Sequence, residues 1–217
     1  MQNTARVIEV FSSLQGEGVY AGRPHLFVRF WNCNLACRYC DTDYKGSYLE
    51  HTSESLLAEV QRLIREKGPF DAVSLTGGEP LLWSEFLEGW LPRLKEIGQR
   101  TYLETNGTLP GSLPRVLPWI DVVAMDIKPP TSTADRAVWD EHREFLRIVH
   151  QAGRDLFVKI VVTRDISEME LQQAVDLVRD TDSAIPVVLQ PVTPWGSVHE
   201  GPSEEQLLEW KSRISRR

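Results

Sequence analysis

The chain has 217 residues and a mass of 24.8 kDa, which suits one α/β domain and argues against a second full domain. Hydrophobic residues make up 41% and charged residues 25%, so the composition excludes a disordered chain and supplies a sizeable core. The formal net charge of -7 argues against a nucleic-acid-binding surface, which needs clustered lysine and arginine, and favours a small-molecule substrate.

The sequence also points to a reducing, membrane-free environment. No stretch is long and apolar enough to cross a bilayer, and the N-terminal sequence MQNTARVIEV lacks the cationic and apolar regions of a signal peptide. Three cysteines packed closely together are a poor disulfide framework and suit a reducing compartment. We therefore expect a cytoplasmic protein that binds neither membrane nor nucleic acid.

Six short apolar runs predict strands in chain order. They are rich in Val, Ile, Leu and aromatic residues and mostly lack strict alternation, which is typical of parallel strands covered on both faces. The runs are His25–Phe30, Ala72–Leu75, Thr101–Leu103, Val122–Met125, Phe157–Val162 and Val187–Leu189.

Helical patterns lie between these runs. The apolar stripe Leu56–Ile64 predicts a helix that ends at Gly68-Pro69. The segment Trp83–Ile97 predicts a second helix, which we expect to be broken or kinked because it contains Gly89 and Pro92.

Three further helices complete the alternation. The segment Ala134–Gln151 predicts a helix that ends before Gly153. The capping-box pattern Ser167–Glu170 opens a helix that runs to about Asp180, and Ser203–Gln206 repeats the pattern before a closing helix.

This alternation predicts one domain, residues 1–217, of the α/β class. Parallel strands joined by helices require right-handed crossovers and form either an open doubly wound sheet or a partial barrel, and periodicity does not choose between them. The proline-rich segments at Pro129-Pro130 and Pro191–Pro194 lie just beyond strands. Such strand ends are where α/β proteins usually build their sites.

The cysteines carry the first chemical signal. Cys33, Cys37 and Cys40 form a C-x3-C-x2-C cluster after the first predicted strand, and the chain has no other cysteine. Three thiolates can hold three corners of a [4Fe–4S] cube and leave one iron with an open coordination position. The alternatives are zinc held by the three cysteines with Asp41 or a distant histidine, or three unrelated thiols.

A second motif, taken together with the cysteines, resembles a known protein superfamily. Thr76–Pro80 reads TGGEP after the second predicted strand, and together with the cysteines it resembles the radical S-adenosylmethionine (SAM) superfamily. The resemblance implies a partial (β/α)6 TIM-like barrel with SAM chelated on the open iron. It also implies that Glu79 helps to orient the ammonium group of SAM.

Further motifs narrow the resemblance within that superfamily. The segments Phe11–Gly18 (FSSLQGEG), Gly22–Pro24, Phe27–Arg29 and Cys40–Thr42 resemble the 7-carboxy-7-deazaguanine synthase family, and the similarity extends from about residue 7 to about residue 193. This family converts 6-carboxy-5,6,7,8-tetrahydropterin to 7-carboxy-7-deazaguanine with loss of ammonia, on the route to queuosine and related deazapurines. The expected chemistry begins with reductive cleavage of SAM, and Mg²⁺ organises the rearranging intermediate.

The resemblance also implies roles for individual residues. Arg29 faces the substrate, and its guanidinium can pair bidentately with a carboxylate. Thr42 corresponds to the magnesium contact of the family. The other implied substrate residues are Leu14, Gln15, Gly16, Glu17 and Thr76. The implied SAM residues are Gly78, Glu79, Thr105, Asp126, Ile127, Lys128, Gln190, Pro191, Val192 and Thr193.

Partners follow from the same resemblance: an electron donor such as a flavodoxin or a ferredoxin, and a second copy in a homodimer. The sequence differs from the family at its C-terminus. Related enzymes commonly continue into a segment with Gln-x-His-Lys, whereas this chain stops at residues 214–217. Either the protein does without that segment or the sequence is shortened, so the resemblance assigns no substrate contact near the C-terminus.

Two other functions share part of the pattern. A radical SAM activase that makes a glycyl radical on a partner protein has the cysteines and the GGE motif, but needs neither LQGEG nor Arg29. A non-enzymatic iron–sulfur or zinc module leaves TGGEP and the proline-rich loops without a role.

Overall fold

The computed structural model describes residues 3–215, so the C-terminal departure noted at residues 214–217 lies partly outside the described residues. The described strands are β1 (Thr4–Leu14), β2 (Pro24–Phe30), β3 (Leu49–Thr52), β4 (Ala72–Gly77), β5 (Thr101–Thr105), β6 (Val122–Ile127), β7 (Asp155–Val162) and β8 (Val187–Pro191). The described α-helices are α1 (Ser53–Lys67), α2 (Ser84–Glu96), α3 (Leu113–Val116), α4 (Pro130–Thr133), α5 (Trp139–Gln151), α6 (Glu168–Thr181) and α7 (Glu204–Ser215). Within this part of the chain, no helix has the length and apolar character needed to cross a membrane.

All eight strands form one sheet in the order β3-β1-β2-β4-β5-β6-β7-β8. From β2 to β8 the six predicted strands are parallel and follow chain order without a reversal. Because right-handed crossovers that always advance in one direction put every helix on the same face, this order is that of a partial barrel. A doubly wound sheet would reverse its order.

Two strands were not predicted. The strand β1 pairs antiparallel with both β2 and β3, and it extends the sheet beyond the six parallel strands. The strand β1 was not predicted because its polar and half-exposed residues interrupt the apolar pattern. The strand β3 was not predicted because its four residues, LEHT, contain no apolar run. The segment Phe11–Leu14, which begins the FSSLQGEG motif, is therefore the end of β1.

The helix predictions mostly hold, with two corrections. The second helix was predicted to be broken or kinked, and the structure contradicts the break, because α2 continues through Pro92. A proline leaves the carbonyl four residues earlier without its partner, and here that carbonyl belongs to Glu88, which is exposed to water. The next helix begins at Trp139 and not at Ala134, because Ala134 adopts a left-handed conformation (φ 57°) that ends the short α4.

The two predicted capping boxes differ in the structure. Ser167 precedes α6 but its side chain makes no capping hydrogen bond. At α7 the box is complete, since the Gln206 N–H donates to Ser203 Oγ and the Ser203 N–H donates to Gln206 Oε1. The first helix is capped by Thr52, whose hydroxyl accepts from the Ser55 N–H.

The two faces of the sheet have different chemistry. One set of alternate residues, including Leu26, Leu75 and Val158, packs against the helices in the main hydrophobic core. The opposite set carries a small apolar cluster around Tyr102 and Phe157, and beyond it a row of polar side chains. This second face is the one available for a site.

Candidate active site

The polar row lies on neighbouring strands near their carboxyl ends. The row consists of one residue from each of four strands: Thr76 on β4, Glu104 on β5, Asp126 on β6 and Lys159 on β7. Two positions before each of them, and therefore on the same face, the strand carries an apolar or small residue. Asp126 and Lys159 are direct cross-strand partners. The apolar cluster thus forms a floor, and charged groups stand above it.

A cavity of about 680 Å³ opens over this row, within the range of about 300 to 1,000 Å³ that is usual for ligand sites. The three cysteines, the carboxyl ends of the strands and the connection from β1 to β2 surround it. Every predicted site residue except Glu79 and Ile127 lines the cavity. The tertiary structure therefore brings together residues that are spread from Leu14 to Thr193.

The cysteine loop borders the cavity. Cys33, Cys37 and Cys40 are free thiols that line it together. In a cube each thiolate binds a different iron, so the sulfurs stay apart, whereas zinc needs its ligands around one point.

The surroundings of the sulfurs suit a buried cluster. The Leu35 N–H donates to Cys33 Sγ at 3.5 Å, and the Asn106 side-chain amide donates to the same sulfur at 3.8 Å. Burial raises the pKa of the Cys33 thiol to about 11 and also raises the pKa of Cys37. A metal is therefore needed to hold these side chains as thiolates.

The Gly77-Gly78 turn packs directly on the cysteine loop. Gly77 has a φ of +126°, and a Cβ on Gly78 would stand 1.9 Å from the Asn32 carbonyl oxygen. The Gly78 and Glu79 N–H groups donate to the carbonyls of Phe30 and Asn32. Glycine is required here because two backbones meet with no room for a side chain.

Glu79 and Ile127 are the two predicted residues that do not line the cavity. The Glu79 carboxylate accepts hydrogen bonds from the Leu81 and Asn106 N–H groups and the Thr105 hydroxyl. Burial raises the pKa of Glu79 to about 7, although the three donors favour its charged form. Its side chain therefore supports the turn rather than facing a ligand, and Ile127 points into the main core.

A chain of charges crosses the cavity wall. Lys128 Nζ lies 3.0 Å from Asp126 Oδ2, and Lys159 Nζ lies 3.1 Å from Asp126 Oδ1 as an ion pair without hydrogen-bond geometry. Lys159 Nζ also donates to the Glu17 carboxylate. Burial acts to raise the pKa of Asp126, but the two lysines outweigh it and hold that pKa below its usual range.

A second network joins predicted substrate residues through Glu104. Gln15 Nε2 donates to Glu104 Oε1 at 2.7 Å, and the Thr76 hydroxyl donates to Glu104 Oε2 at 2.8 Å. Gln15 and Thr76 are buried, so this carboxylate is held in one orientation on the cavity wall. It keeps lone pairs for further donors.

Arg29 and Thr42, predicted for different roles, lie next to each other. Arg29 Nη1 is 3.4 Å from Thr42 Oγ1, and Arg29 Nε donates to Glu9 Oε1 at 2.7 Å. The guanidinium also stacks over the Phe11 ring at 5.4 Å. A cation and a hydroxyl are thus fixed beside the cysteine loop.

Glu104, Asn106 and Lys159 also line the cavity, and none of them was assigned individually from the sequence. Glu104 and Asn106 stand in the segment Glu104–Gly107 (ETNG), which ends the third predicted strand with polar groups and a turn. That segment was expected to face SAM, with Thr105 as its assigned contact. Lys159 is the one charged residue within the apolar run Phe157–Val162. A charge inside a buried strand costs free energy unless it is paired, and that signal could have identified Lys159.

Comparisons of structure give the fold. QueE from Escherichia coli superimposes with a TM-score of 0.52 at 18% identity, covering 86% of this chain and 94% of that one. Streptococcus suis SuiB bound to the precursor peptide SuiA gives a TM-score of 0.64 at 15% identity over 84% of this chain and 43% of that one. The protein anSMEcpe with bound AdoMet gives 0.60 at 16% identity, covering 85% of this chain and 54% of that one.

Sequence comparisons give the family. Residues 30–178 match the Radical SAM superfamily. The 7-carboxy-7-deazaguanine synthase of Geobacter sulfurreducens is 37% identical over 211 residues, covering 88% of this chain and 83% of the relative. The synthase of Methanothermobacter thermautotrophicus is 33% identical over 212 residues, covering 88% and 83%. The chain therefore belongs to the radical SAM superfamily and, within it, to the 7-carboxy-7-deazaguanine synthase family.

Proposed function

We propose that this chain converts 6-carboxy-5,6,7,8-tetrahydropterin to 7-carboxy-7-deazaguanine with loss of ammonia. One observation carries the proposal beyond family membership. A single cavity places the three cysteines next to Glu104, Thr76 and Arg29, which lie on three neighbouring strands. These groups match the polar features of a carboxylated pterin.

The pterin chemistry explains why each group is useful. The pyrimidinone edge of a pterin presents N–H donors side by side, and a fixed carboxylate such as Glu104 can accept from them. The carboxylate of the substrate needs a cation, and Arg29 supplies one within the same cavity. We propose that Gln15 and Thr76 hold Glu104 in position for this contact.

The bound cofactors supply one-electron chemistry that removes a hydrogen atom from the substrate. The chain itself binds, orients and shields. We propose that Cys33, Cys37 and Cys40 hold the [4Fe–4S] cluster, and that Lys128 and the segment Gln190–Thr193 line the SAM position. The connection Gln15–Arg23, which we call the strap, contacts β7 and β8 and limits the entry of water to the cavity.

Magnesium is part of the proposal through Thr42. Mg²⁺ prefers oxygen ligands and keeps several waters, so one protein hydroxyl and the substrate carboxylate are sufficient partners. The contact between Arg29 Nη1 and Thr42 Oγ1 at 3.4 Å supports this arrangement, because a substrate carboxylate that lies beside both groups could accept from the guanidinium and also bind a metal held by the hydroxyl. In this geometry the metal and the guanidinium orient the substrate together.

Removal of the Thr42 hydroxyl tests the magnesium proposal. Thr42→Ala is expected to retain SAM binding and to lose the stimulation of activity by Mg²⁺, whereas Thr42→Ser, which keeps the hydroxyl, should retain it. The measurement is the initial rate against Mg²⁺ concentration for the three proteins. A full magnesium response in Thr42→Ala would show that the metal binds elsewhere.

The activity itself is tested by anaerobic reconstitution of the full chain with iron and sulfide. Incubation with reductant, SAM and 6-carboxytetrahydropterin is expected to yield 7-carboxy-7-deazaguanine. Cleavage of SAM without a deazapurine product would exclude the synthase and favour another radical SAM activity, such as a glycyl-radical activase. Zinc in place of iron, without SAM binding, would exclude radical chemistry altogether.

The expected partners and location remain proposals. We propose a flavodoxin or a ferredoxin as electron donor, a homodimer, and a cytoplasmic location that keeps the free cysteines reduced. Light scattering of the reconstituted protein tests the dimer, and the rate of cluster reduction by each purified donor tests the first proposal. The dimer proposal fails if the protein stays monomeric at micromolar concentration, and the donor proposal fails if neither donor reduces the cluster.

A further inference from the structure

The Asn106 side chain is held in a single orientation beside the cysteine loop. Its Oδ1 accepts from the Thr108 N–H at 3.0 Å and from the Thr108 hydroxyl at 2.6 Å. Its Nδ2 donates to Asn34 Oδ1 at 2.9 Å and to Cys33 Sγ at 3.8 Å. Because a backbone N–H can only donate, Oδ1 must face Thr108 and the NH₂ group must face Cys33.

The backbone of Asn106 is fixed as firmly as its side chain. Its N–H donates to the buried Glu79 carboxylate at 2.8 Å, and its carbonyl oxygen is 3.0 Å from His142 Nε2. Burial lowers the pKa of His142 to about 4, so the ring is neutral near pH 7 and donates from Nε2. The residue is 5% exposed, so water does not compete for its amide.

The three cysteines are therefore not equivalent. Among residues 3–215, Cys33 is the cysteine whose sulfur accepts hydrogen bonds from N–H groups, one from Leu35 and one from Asn106. Cys40 Sγ instead donates to the Thr42 carbonyl, a contact that a metal-bound thiolate loses. The Leu35 bond comes from the backbone, and the Asn106 bond depends on a side chain that mutation can remove.

We propose that Asn106 is a positioning residue of the cluster, and that its amide donates a hydrogen bond to Cys33 Sγ and raises the reduction potential of the cluster. Reduction adds negative charge that is shared by the ligating sulfurs, so an N–H donor stabilises the reduced form more than the oxidised form. The bond makes the cluster easier to reduce, which helps a weak biological donor. This role depends on the cluster and not on the identity of the substrate.

The test compares midpoint potentials of the full-length, reconstituted protein. Asn106→Leu keeps the approximate volume of the side chain and removes the donor without adding charge. An EPR-monitored redox titration in the absence of SAM is expected to give a more negative midpoint potential than in the wild type, with equal iron and sulfide content. An unchanged potential at equal cluster content would overturn the proposal.

Thr108→Val is the matched control. It removes the hydroxyl that donates to Asn106 Oδ1 and accepts from Asn34 Nδ2, but it leaves the Thr108 N–H, whose bond to Oδ1 keeps the Asn106 amide facing Cys33. Its thermal stability should fall while its midpoint potential stays at the wild-type value. A potential as low as that of Asn106→Leu would mean that loop packing, and not the hydrogen bond, sets the potential.

Two measurements keep the proposal testable if Asn106→Leu does not assemble a cluster. Asn106→Ser has a polar side chain too short to reach the sulfur, and it should show the same negative shift. In the wild type, ¹⁵N in asparagine side-chain amides should give a hyperfine coupling to the reduced cluster in pulsed EPR. A wild-type potential in Asn106→Ser, or no coupling to the amide nitrogen, would contradict the assignment.

Discussion

At the scale of single residues, Glu104 connects the fold to substrate binding. Its two carboxylate oxygens already accept one hydrogen bond each, from Gln15 and Thr76, so its orientation is set before a ligand arrives. A preorganised acceptor avoids the entropic cost of ordering a flexible side chain at binding.

Glu104→Gln tests this role. The amide replaces one acceptor oxygen by a donor, which conflicts with either Gln15 or Thr76 and removes the charge that the pterin N–H groups would meet. A hydrogen bond to a charged group contributes about 1.5 to 3 kcal/mol, so KM for the pterin should rise by about 10- to 100-fold.

The control for this substitution is Glu85→Gln on the exposed surface of α2, which should leave KM unchanged. Steady-state kinetics at saturating SAM give both values. An unaltered KM in Glu104→Gln would place the pterin edge elsewhere in the cavity.

Gly78 lies where the fold leaves no space for a side chain. A Cβ here would lie 1.9 Å from the Asn32 carbonyl, so Gly78→Ala must displace the cysteine loop. We expect this variant to bind much less iron on reconstitution. In contrast, Gly89 has no atom within 4 Å of an added Cβ, and Gly89→Ala should bind iron normally and be more stable by about 0.5 to 1 kcal/mol.

Iron analysis and thermal unfolding of the two glycine variants make this comparison. If Gly78→Ala assembles a full cluster, the close approach of the two loops is not needed for cluster binding.

At the scale of elements, the strap depends on contacts with strands far away in the sequence. Glu17 pairs with Lys159 on β7, and Gly18 lies against the Phe157 ring, where an added Cβ would be 2.3 Å from a ring carbon. Tyr20 contacts Tyr102 and Phe157 at the floor. These contacts fasten the β1 to β2 connection across the parallel strands.

Lys159→Met should release the strap. The buried partner of Lys159 is Asp126, and removing one partner of a buried ion pair costs about 3 to 5 kcal/mol. The same substitution leaves the half-exposed Glu17 without its cation. We expect faster amide hydrogen exchange in residues 15–23, a higher KM for the pterin, and more SAM cleaved per product formed. Lys95→Met removes a half-exposed pair with Asp121 and should cost less than about 1 kcal/mol with no change in the strap.

Exchange measured by mass spectrometry separates the two lysine variants. Wild-type exchange of the strap in Lys159→Met would mean that the aromatic floor alone holds this connection.

At the scale of the whole molecule, one sheet and one main core include elements from both ends of the chain. Ala5 on β1 and Trp210 on α7 belong to the same hydrophobic cluster. Each parallel strand is hydrogen-bonded to the next along the sheet. One domain over residues 1–217 stays a prediction, and this continuity among the described residues 3–215 gives it a physical basis.

The apo protein is therefore expected to unfold in urea in one cooperative transition. Tryptophan fluorescence and far-UV circular dichroism should give the same midpoint, because one hydrogen-bonded sheet joins the described elements from β1 to β8. Two separated transitions would contradict the single-domain prediction.

Much of the fold was predictable because local patterns agree with it. Buried parallel strands need continuous apolar runs, and all six were recognised, while β1 and β3 were missed because half-exposed antiparallel strands carry polar residues. The start of α5 was misplaced because the left-handed Ala134 has no local signal. The choice of a partial barrel required the strand order, which depends on pairing between distant segments.

The sequence by itself determined the cysteine cluster, the glycine turn and the family, since these depend on residue types at short spacing. The tertiary structure decided which groups meet. It turned the Glu79 side chain away from the cavity, joined Arg29 to Thr42, and aimed the Asn106 amide at Cys33. These contacts join residues on different strands and loops, and only the closing of the sheet around a common cavity brings such groups within hydrogen-bonding distance.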